Sequence, residues 1–241
     1  MAANKFKIHV IGINSYELKD LSPGLQQLIL NTVNIAIPNS YFSNIKKWFH
    51  ESSCKKNLYE SKSDQKLIDW IKNRNDDVIL VSRGDPLWFG IGRILLQNFS
   101  KNDLVFHPSK TCLQIAFSKL KKPWQNINCI SIHGRDSDEL IKLLKLKISP
   151  LAIITDPKNN SLNIIRKNLK ELQLDNIYEF WIFENLGFED ERIRQIEPKE
   201  KLPENISSLN LVILFKKDIS IDTDKYPLFG LKDNLFKTFS D

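Results

Sequence analysis

The residues best placed to do chemistry form one run, Ser82-Arg83-Gly84-Asp85-Pro86-Leu87-Trp88-Phe89-Gly90-Ile91-Gly92, directly after the apolar stretch 78–81. Gly84 permits a sharp turn at a strand exit and a close approach of main chain to ligand. Asp85 offers an acceptor to hydroxyl or amide hydrogens, and Pro86 stiffens the loop before the next helix. Gly-Asp-Pro alone is an ordinary turn; the strand before it and the two glycines after it mark a ligand loop. Glycine is scarce, eight in 241 residues, yet Gly12, Gly84, Gly90, Gly92, Gly134 and Gly187 all fall at or just after expected strand exits. That distribution fits a nucleoside-type ligand held largely by backbone. Residues for a Ser/His/Asp or Cys/His nucleophile set do not stand out, so the chemistry expected is alignment of two bound reactants.

The elements that must position these residues alternate along the chain. Residues 6–13 form a β-branched run, after which Ser22-Pro23 supplies an N-cap and a first-turn proline ahead of Leu25, Leu28 and Ile29 at helical spacing. A helix with Leu67, Ile68 and Ile71 precedes the strand at 78–81, and an apolar segment occupies 89–99. Strands are expected at 103–106, 128–132, 151–154, 178–183 and 209–215. Between them lie a helix near 109–120, one opened by Asp136 and Glu139 as a capping box, and one striped by Leu162, Ile165, Leu169 and Leu172. This alternation predicts an α/β protein with largely parallel sheets and a ligand outside the strands' carboxyl ends. A boundary is expected at Lys121-Lys122-Pro123, dividing the chain into 1–122, 123–218 and a tail, 219–241.

Composition narrows the class. With 41% apolar and 27% charged residues the chain is an ordinary globular protein. It lacks the roughly 18 uninterrupted apolar residues of a membrane span and the apolar core of a signal peptide, so a cytoplasmic location without membrane attachment is expected. Cys54, Cys112 and Cys129 are odd in number and widely spaced, which predicts reduced thiols and no metal site. The formal charge of +6 favours an acidic partner. Basic residues interleaved with aromatics along a stripe are missing, so nucleic acid is not the expected one.

Gly84-Asp85-Pro86 with Gly90 and Gly92 resembles the signature loop of the tetrapyrrole methylase superfamily. Further segments are His107-Pro108-Ser109-Lys110-Thr111-Cys112, Ser131-Ile132-His133-Gly134-Arg135, Ile153-Ile154-Thr155-Asp156 and Glu184-Asn185-Leu186-Gly187 with Asp190-Glu191-Arg192. In order and spacing they are similar to the precorrin-6Y C(5,15)-methyltransferases, from about Ile8 to the C-terminus. The resemblance implies two unequal α/β domains with S-adenosylmethionine in the cleft between them. It places the cofactor against Gly84, Asp85, Trp88, Thr111, Cys112, Thr155, Asn185 and Leu186. It assigns Arg83, Arg93 and Arg135 to the carboxylates of a precorrin substrate, and His133 and Asp156 as candidate bases for proton loss from the macrocycle. One part departs from the pattern: relatives open with Gly-x-Gly-x-Asp-Gly after the first strand, where this chain has Gly12-Ile13-Asn14-Ser15-Tyr16-Glu17.

The implied activity is methylation of carbon 5 of a precorrin or cobalt-precorrin in cobalamin biosynthesis. Methylation at carbon 15 and decarboxylation belong, in that family, to a Rossmann-type methyltransferase partner, either a fused domain or a separate subunit. Phe229-Gly230-Leu231-Lys232-Asp233 resembles the link to such a domain. Relatives are commonly dimers, which makes a homodimer the assembly to test. A same-fold methylase acting on RNA or protein, and a non-catalytic tetrapyrrole-binding homologue, are the alternative readings.

Overall fold

The computed structural model describes residues 6–49, 55–132, 137–155, 160–207 and 209–217. The first sheet contains β1 (Ile8–Ile13), β2 (Asn34–Pro38), β3 (Asn57–Ser61), β4 (Val78–Arg83) and β5 (Leu104–His107). Its order is β3-β2-β4-β1-β5 and every pairing is parallel. Helices cover both faces, which is why the strands read as nearly continuous apolar runs. On one face Ile8, Val10, Val78 and Leu80 pack against Leu67, Ile68 and Ile71 of α3 (Asp64–Lys72) and Leu95 of α4 (Gly92–Asn98). On the other, Ile11, Ile13, Ile35, Ile37, Ile79 and Val81 meet Ile29 of α1 (Pro23–Asn31) and Ile45 of α2 (Phe42–Lys46). Alternate residues of β1 thus serve opposite cores, as the two-residue repeat of a strand requires.

The second sheet contains β6 (Asn128–Ser131), β7 (Leu151–Ile154), β8 (Tyr178–Glu184), β9 (Arg192–Ile196) and β10 (Asn210–Lys216), in the order β6-β7-β10-β8-β9. Here the expectation of largely parallel sheets is corrected. Only β6 and β7 pair in parallel; β10 runs antiparallel to both neighbours, and β9 is antiparallel to β8. An antiparallel neighbour needs no helical crossover, so β8 turns directly into β9.

Helix α5 (Cys112–Leu120) covers one face of this sheet, its Leu113, Ala116 and Phe117 packing with Ala152, Phe183, Leu211, Ile213 and Phe215. Helices α6 (Asp138–Lys145) and α7 (Ser161–Glu171) cover the other through Leu140, Leu144, Ile165 and Leu169. Thus α5, which precedes residue 122 in sequence, shares its core with the sheet that follows. The stripe expected on α7 is present, with Ile165 and Leu169 fully buried and Leu162 and Leu172 packed beside them. The capping box expected from Asp136 and Glu139 involves Asp136, which lies outside the described residues; α6 begins after Ser137, whose side chain makes no cap bond. The tail 219–241 also lies outside them. Among the described residues no helix is long and apolar enough to cross a membrane.

Candidate functional site

The carboxyl edge of the first sheet and one edge of the second face one cleft of about 1090 Å³. One wall comes from the exit of β4, and the other from the start of α5, the exits of β6, β7 and β8, and the start of β10. All eight residues expected to touch the cofactor (Gly84, Asp85, Trp88, Thr111, Cys112, Thr155, Asn185 and Leu186) line it, together with Arg83 and Arg93. Arg135, His133 and Asp156 lie outside the described residues.

The loop after β4 is built around Gly84, whose φ of +58° suits glycine best. Its N–H donates to the Ile13 carbonyl at 2.9 Å, and its carbonyl accepts from the Ser109 N–H at 3.3 Å, so one residue joins the exits of β1, β4 and β5. Gly12 sits so close beneath it that a Cβ there would lie 2.0 Å from the Gly84 oxygen. Asp85 Oδ1 accepts from the Leu87 N–H at 2.8 Å, and the Asp85 carbonyl accepts from the Trp88 N–H at 3.1 Å. Among the described residues the other Asp85 carboxylate oxygen makes no hydrogen bond. Trp88 packs into the core of the second sheet, which carries the loop across the cleft. Phe89 follows at φ +52°, a strained geometry for an aromatic residue, and lines the cleft with 47% of its surface exposed.

On the opposite wall much of the polar capacity is already spent. Thr111 is the N-cap of α5: its hydroxyl accepts from the Gln114 N–H at 3.1 Å, and Gln114 Oε1 accepts from the Thr111 N–H at 2.8 Å. This is the chain's reciprocal capping box. The Thr155 hydroxyl donates toward Asn210. Asn185, at φ +49°, donates to Asp190 Oδ2 at 2.6 Å and accepts from the Ser207 hydroxyl at 2.8 Å. Cys112 is a free thiol whose pKa burial pushes up to about 11; beside it burial, with Cys112 as a neighbour, pushes Cys129 up to about 12. Neither is an activated nucleophile. The wall therefore presents backbone, small side chains and apolar surface in a fixed shape.

The three arginines separate. Arg93 is exposed on α4 at the mouth of the cleft, free to meet a carboxylate. Arg83 is enclosed by the rings of Tyr16, Tyr41 and Phe188 and donates to the Tyr16 hydroxyl. Residues not assigned to the site from sequence also line the cleft: Asn14, Ser131, Phe188 and Asn210. Behind the wall stands Glu184, with no exposed surface, paired with Arg192 at 2.8 Å and Arg194 at 3.1 Å and accepting from the Ser207 N–H at 2.6 Å. Nothing in the sequence around Glu184 marks it as buried; the paired arginines of β9 are the nearest signal.

Comparison with known proteins gives consistent results. A sequence model of the family described as Tetrapyrrole (Corrin/Porphyrin) Methylases matches residues 7–201. The chain is 30% identical over 154 residues to a probable cobalt-precorrin-7 C(5)-methyltransferase of Methanocaldococcus jannaschii, a match covering 61% of this chain and 70% of that one. The fold is shared with a cobalamin-biosynthesis precorrin-6Y methylase of Archaeoglobus fulgidus, with TM-score 0.62, 18% identity, and 88% of this chain and 98% of that chain covered. It is shared too with a uroporphyrin-III C-methyltransferase of Thermus thermophilus complexed with S-adenosylhomocysteine, with TM-score 0.58, 16% identity, and 87% and 97% covered.

Proposed function

Because the chain belongs to the tetrapyrrole (corrin/porphyrin) methylases, we propose that it transfers a methyl group from S-adenosylmethionine to carbon 5 of a precorrin or cobalt-precorrin in cobalamin biosynthesis. The observation that carries this reading is the 30% identity over 154 residues to the Methanocaldococcus jannaschii protein. The cleft supports it. Its volume of about 1090 Å³ reaches the upper end of small-molecule sites, about 300–1,000 Å³, and leaves room for a cofactor and a second reactant. The apolar surface of Cys112 and Leu186 and the backbone at the strand exits suit a nucleoside, and the open Asp85 oxygen suits a hydroxyl or ammonium group.

When bound, S-adenosylmethionine supplies an electrophilic methyl group with a neutral leaving group. The residues of the chain then align and enclose the reactants. Gly84, Asp85 and Trp88 hold the cofactor from one side, and Thr111, Cys112, Thr155, Asn185 and Leu186 from the other. With the polar groups of Thr111, Thr155 and Asn185 already engaged, that wall needs little reorganisation on binding. Arg93 and Arg135 take carboxylates of the substrate. His133 and Asp156 are the candidate bases. The same reading places the protein in the cytoplasm, with a Rossmann-type methyltransferase, fused or separate, performing the carbon-15 methylation and decarboxylation; it allows for a homodimer.

The test uses labelled S-adenosylmethionine, a precorrin open at both positions and, in parallel, the partner's product. Mass spectrometry should show one added methyl group, at carbon 5, and no release of carbon dioxide. Two methyl additions, loss of a carboxyl group, or label delivered to RNA or protein would overturn the assignment.

A further inference from the structure

After β1 the chain has Asn14-Ser15-Tyr16-Glu17 where the resemblance leads one to expect glycine and aspartate, and the structure shows what these residues do. The Tyr16 carbonyl accepts from Trp48 Nε1 at 2.6 Å, which fixes the loop to the first sheet's helical layer. The Tyr16 ring reaches the other half of the molecule, its centroid 4.5 Å from that of Phe188. Beside the two rings stands Arg83, the last residue of β4. Its Cζ is 4.1 Å from the Phe188 centroid, 5.5 Å from that of Tyr41 and 5.8 Å from that of Tyr16. Arg83 Nη2 donates to the Tyr16 hydroxyl, while Nε is buried and makes no hydrogen bond among the described residues. A guanidinium so placed is held by ring faces. Among the described residues no carboxylate pairs with it.

Phe188 closes the turn after β8. Its N–H donates to the Asn185 carbonyl at 3.0 Å, and the Asn185 N–H donates to the Leu209 carbonyl at 3.1 Å. Beside it, Gly187 presses against the loop after β1, where a Cβ would lie 3.1 Å from the Asn14 carbonyl oxygen. Asn185 and Leu186 of this turn form part of the cleft wall opposite Gly84 and Asp85.

We propose that Arg83 is a positioning residue. Its guanidinium, caged by Tyr16, Tyr41 and Phe188, clamps the turn after β8 to the first sheet and so sets the width of the cofactor side of the cleft. This assigns Arg83 to a role within the protein, since the ring contacts and the Tyr16 bond already engage its guanidinium. The clamp itself is a property of the free protein; its effect on ligand binding rests on the methyl-donor reading given above.

Hydrogen exchange on the unliganded protein tests the clamp directly. In Arg83→Met and in Phe188→Leu the amides of Asn185 and Phe188 should exchange about tenfold faster, the scale of one desolvated cation–ring contact. The amides of central strand β10 should be unchanged, and the double variant should be no faster than either single one. Arg83→Lys should restore part of the protection, and Phe188→Tyr most of it. If Arg83→Met does not fold, the Leu and Tyr variants at Phe188 decide between ring and bulk. Unchanged exchange in the turn, or equal acceleration of every amide, would overturn the proposal. S-adenosylhomocysteine affinity, read by calorimetry, should fall in step with turn exchange. Absence of S-adenosylhomocysteine binding by the wild type, with the exchange effect present in the variants, would sink the donor-site reading and leave the clamp standing.

Discussion

Thr155 Oγ1 stands 2.7 Å from the backbone carbonyl oxygen of Asn210 and 2.7 Å from its side-chain oxygen, so one buried hydroxyl fastens the exit of β7 to the start of β10. Thr155→Val keeps the shape and removes the one hydrogen that the two Asn210 oxygens share. It should cost about 1–3 kcal/mol of stability, and Thr155→Ser should restore most of it. Chemical denaturation of the three proteins measures the difference. A Val variant as stable as wild type would mean that water replaces the hydroxyl.

Asp85 stabilises its own loop through the Leu87 N–H and also faces the cleft. Asp85→Ala should lower S-adenosylhomocysteine affinity by about 1–3 kcal/mol, the range for hydrogen bonds to a charged group. Asp85→Asn keeps the turn acceptor and should separate the two roles. Calorimetry beside a melting curve distinguishes them: a lower melting temperature with unchanged affinity per folded molecule would make the residue structural.

His9 Nδ1 lies 3.1 Å from His107 Nε2 across neighbouring strands, with the rings stacked at 5.4 Å. Burial lowers both pKa values; the nearby Asp77 opposes this at His9, Lys7 adds to it there, and His9 adds to it at His107. The folded state thus binds fewer protons than the unfolded chain near the ordinary histidine pKa. The stability contributed is complete above about pH 6.5 and is lost as pH falls from there through the lowered folded values. Denaturation midpoints measured between about pH 7.5 and 5 should fall for wild type and fall less for the His9→Gln, His107→Gln double variant. Equal slopes would remove the pair from the account.

Cys112 and Cys129, with pKa values pushed up to about 11 and about 12, should resist alkylation. At pH 8, in a Cys54→Ser background, iodoacetamide should modify Cys112 on the order of a hundredfold and Cys129 on the order of a thousandfold more slowly than free cysteine, because the thiolate is the reactive form. Bound S-adenosylhomocysteine should slow Cys112 further, since that residue lines the cleft. Peptide mass spectrometry over time reads both effects, and rapid labelling of Cys112 would contradict the burial assigned to it.

The α/β class and the exits of β1 and of β4 to β8 were legible because strands under helices carry apolar runs followed by turn residues; β2 and β3, short and without glycine at their ends, were not. The direction of β10 was not, since a strand buried on both faces reads the same whether parallel or antiparallel. β9 was missed for the opposite reason: Arg192, Ile193, Arg194, Gln195 and Ile196 form a polar edge strand whose arginines serve Glu184. At the site, Asp85 stood out by turn chemistry, while Asn185 was singled out only by the family resemblance. Thr111 carried a second signal, Gln114 three residues on, which marks a helix cap. Arg83 could not be placed from its neighbours in sequence, because its surroundings come from Tyr16, Tyr41 and Phe188, far from it and from one another along the chain.

The packing of α5 has a mechanical consequence. Because α5 belongs to the second core while β5 belongs to the first sheet, the backbone passes from one half to the other through residues 108–110. Pro108 has a fixed φ, and Ser109 is bolted to the first half by the Gly84 carbonyl and the Asn14 side chain. A Cβ on Gly84 would lie 3.2 Å from the Lys110 carbonyl oxygen, so the link stays pressed to the first half up to the start of α5. The aromatic cage at Phe188 ties the halves a second time, and two fastenings far apart along the chain hold the walls of one cleft.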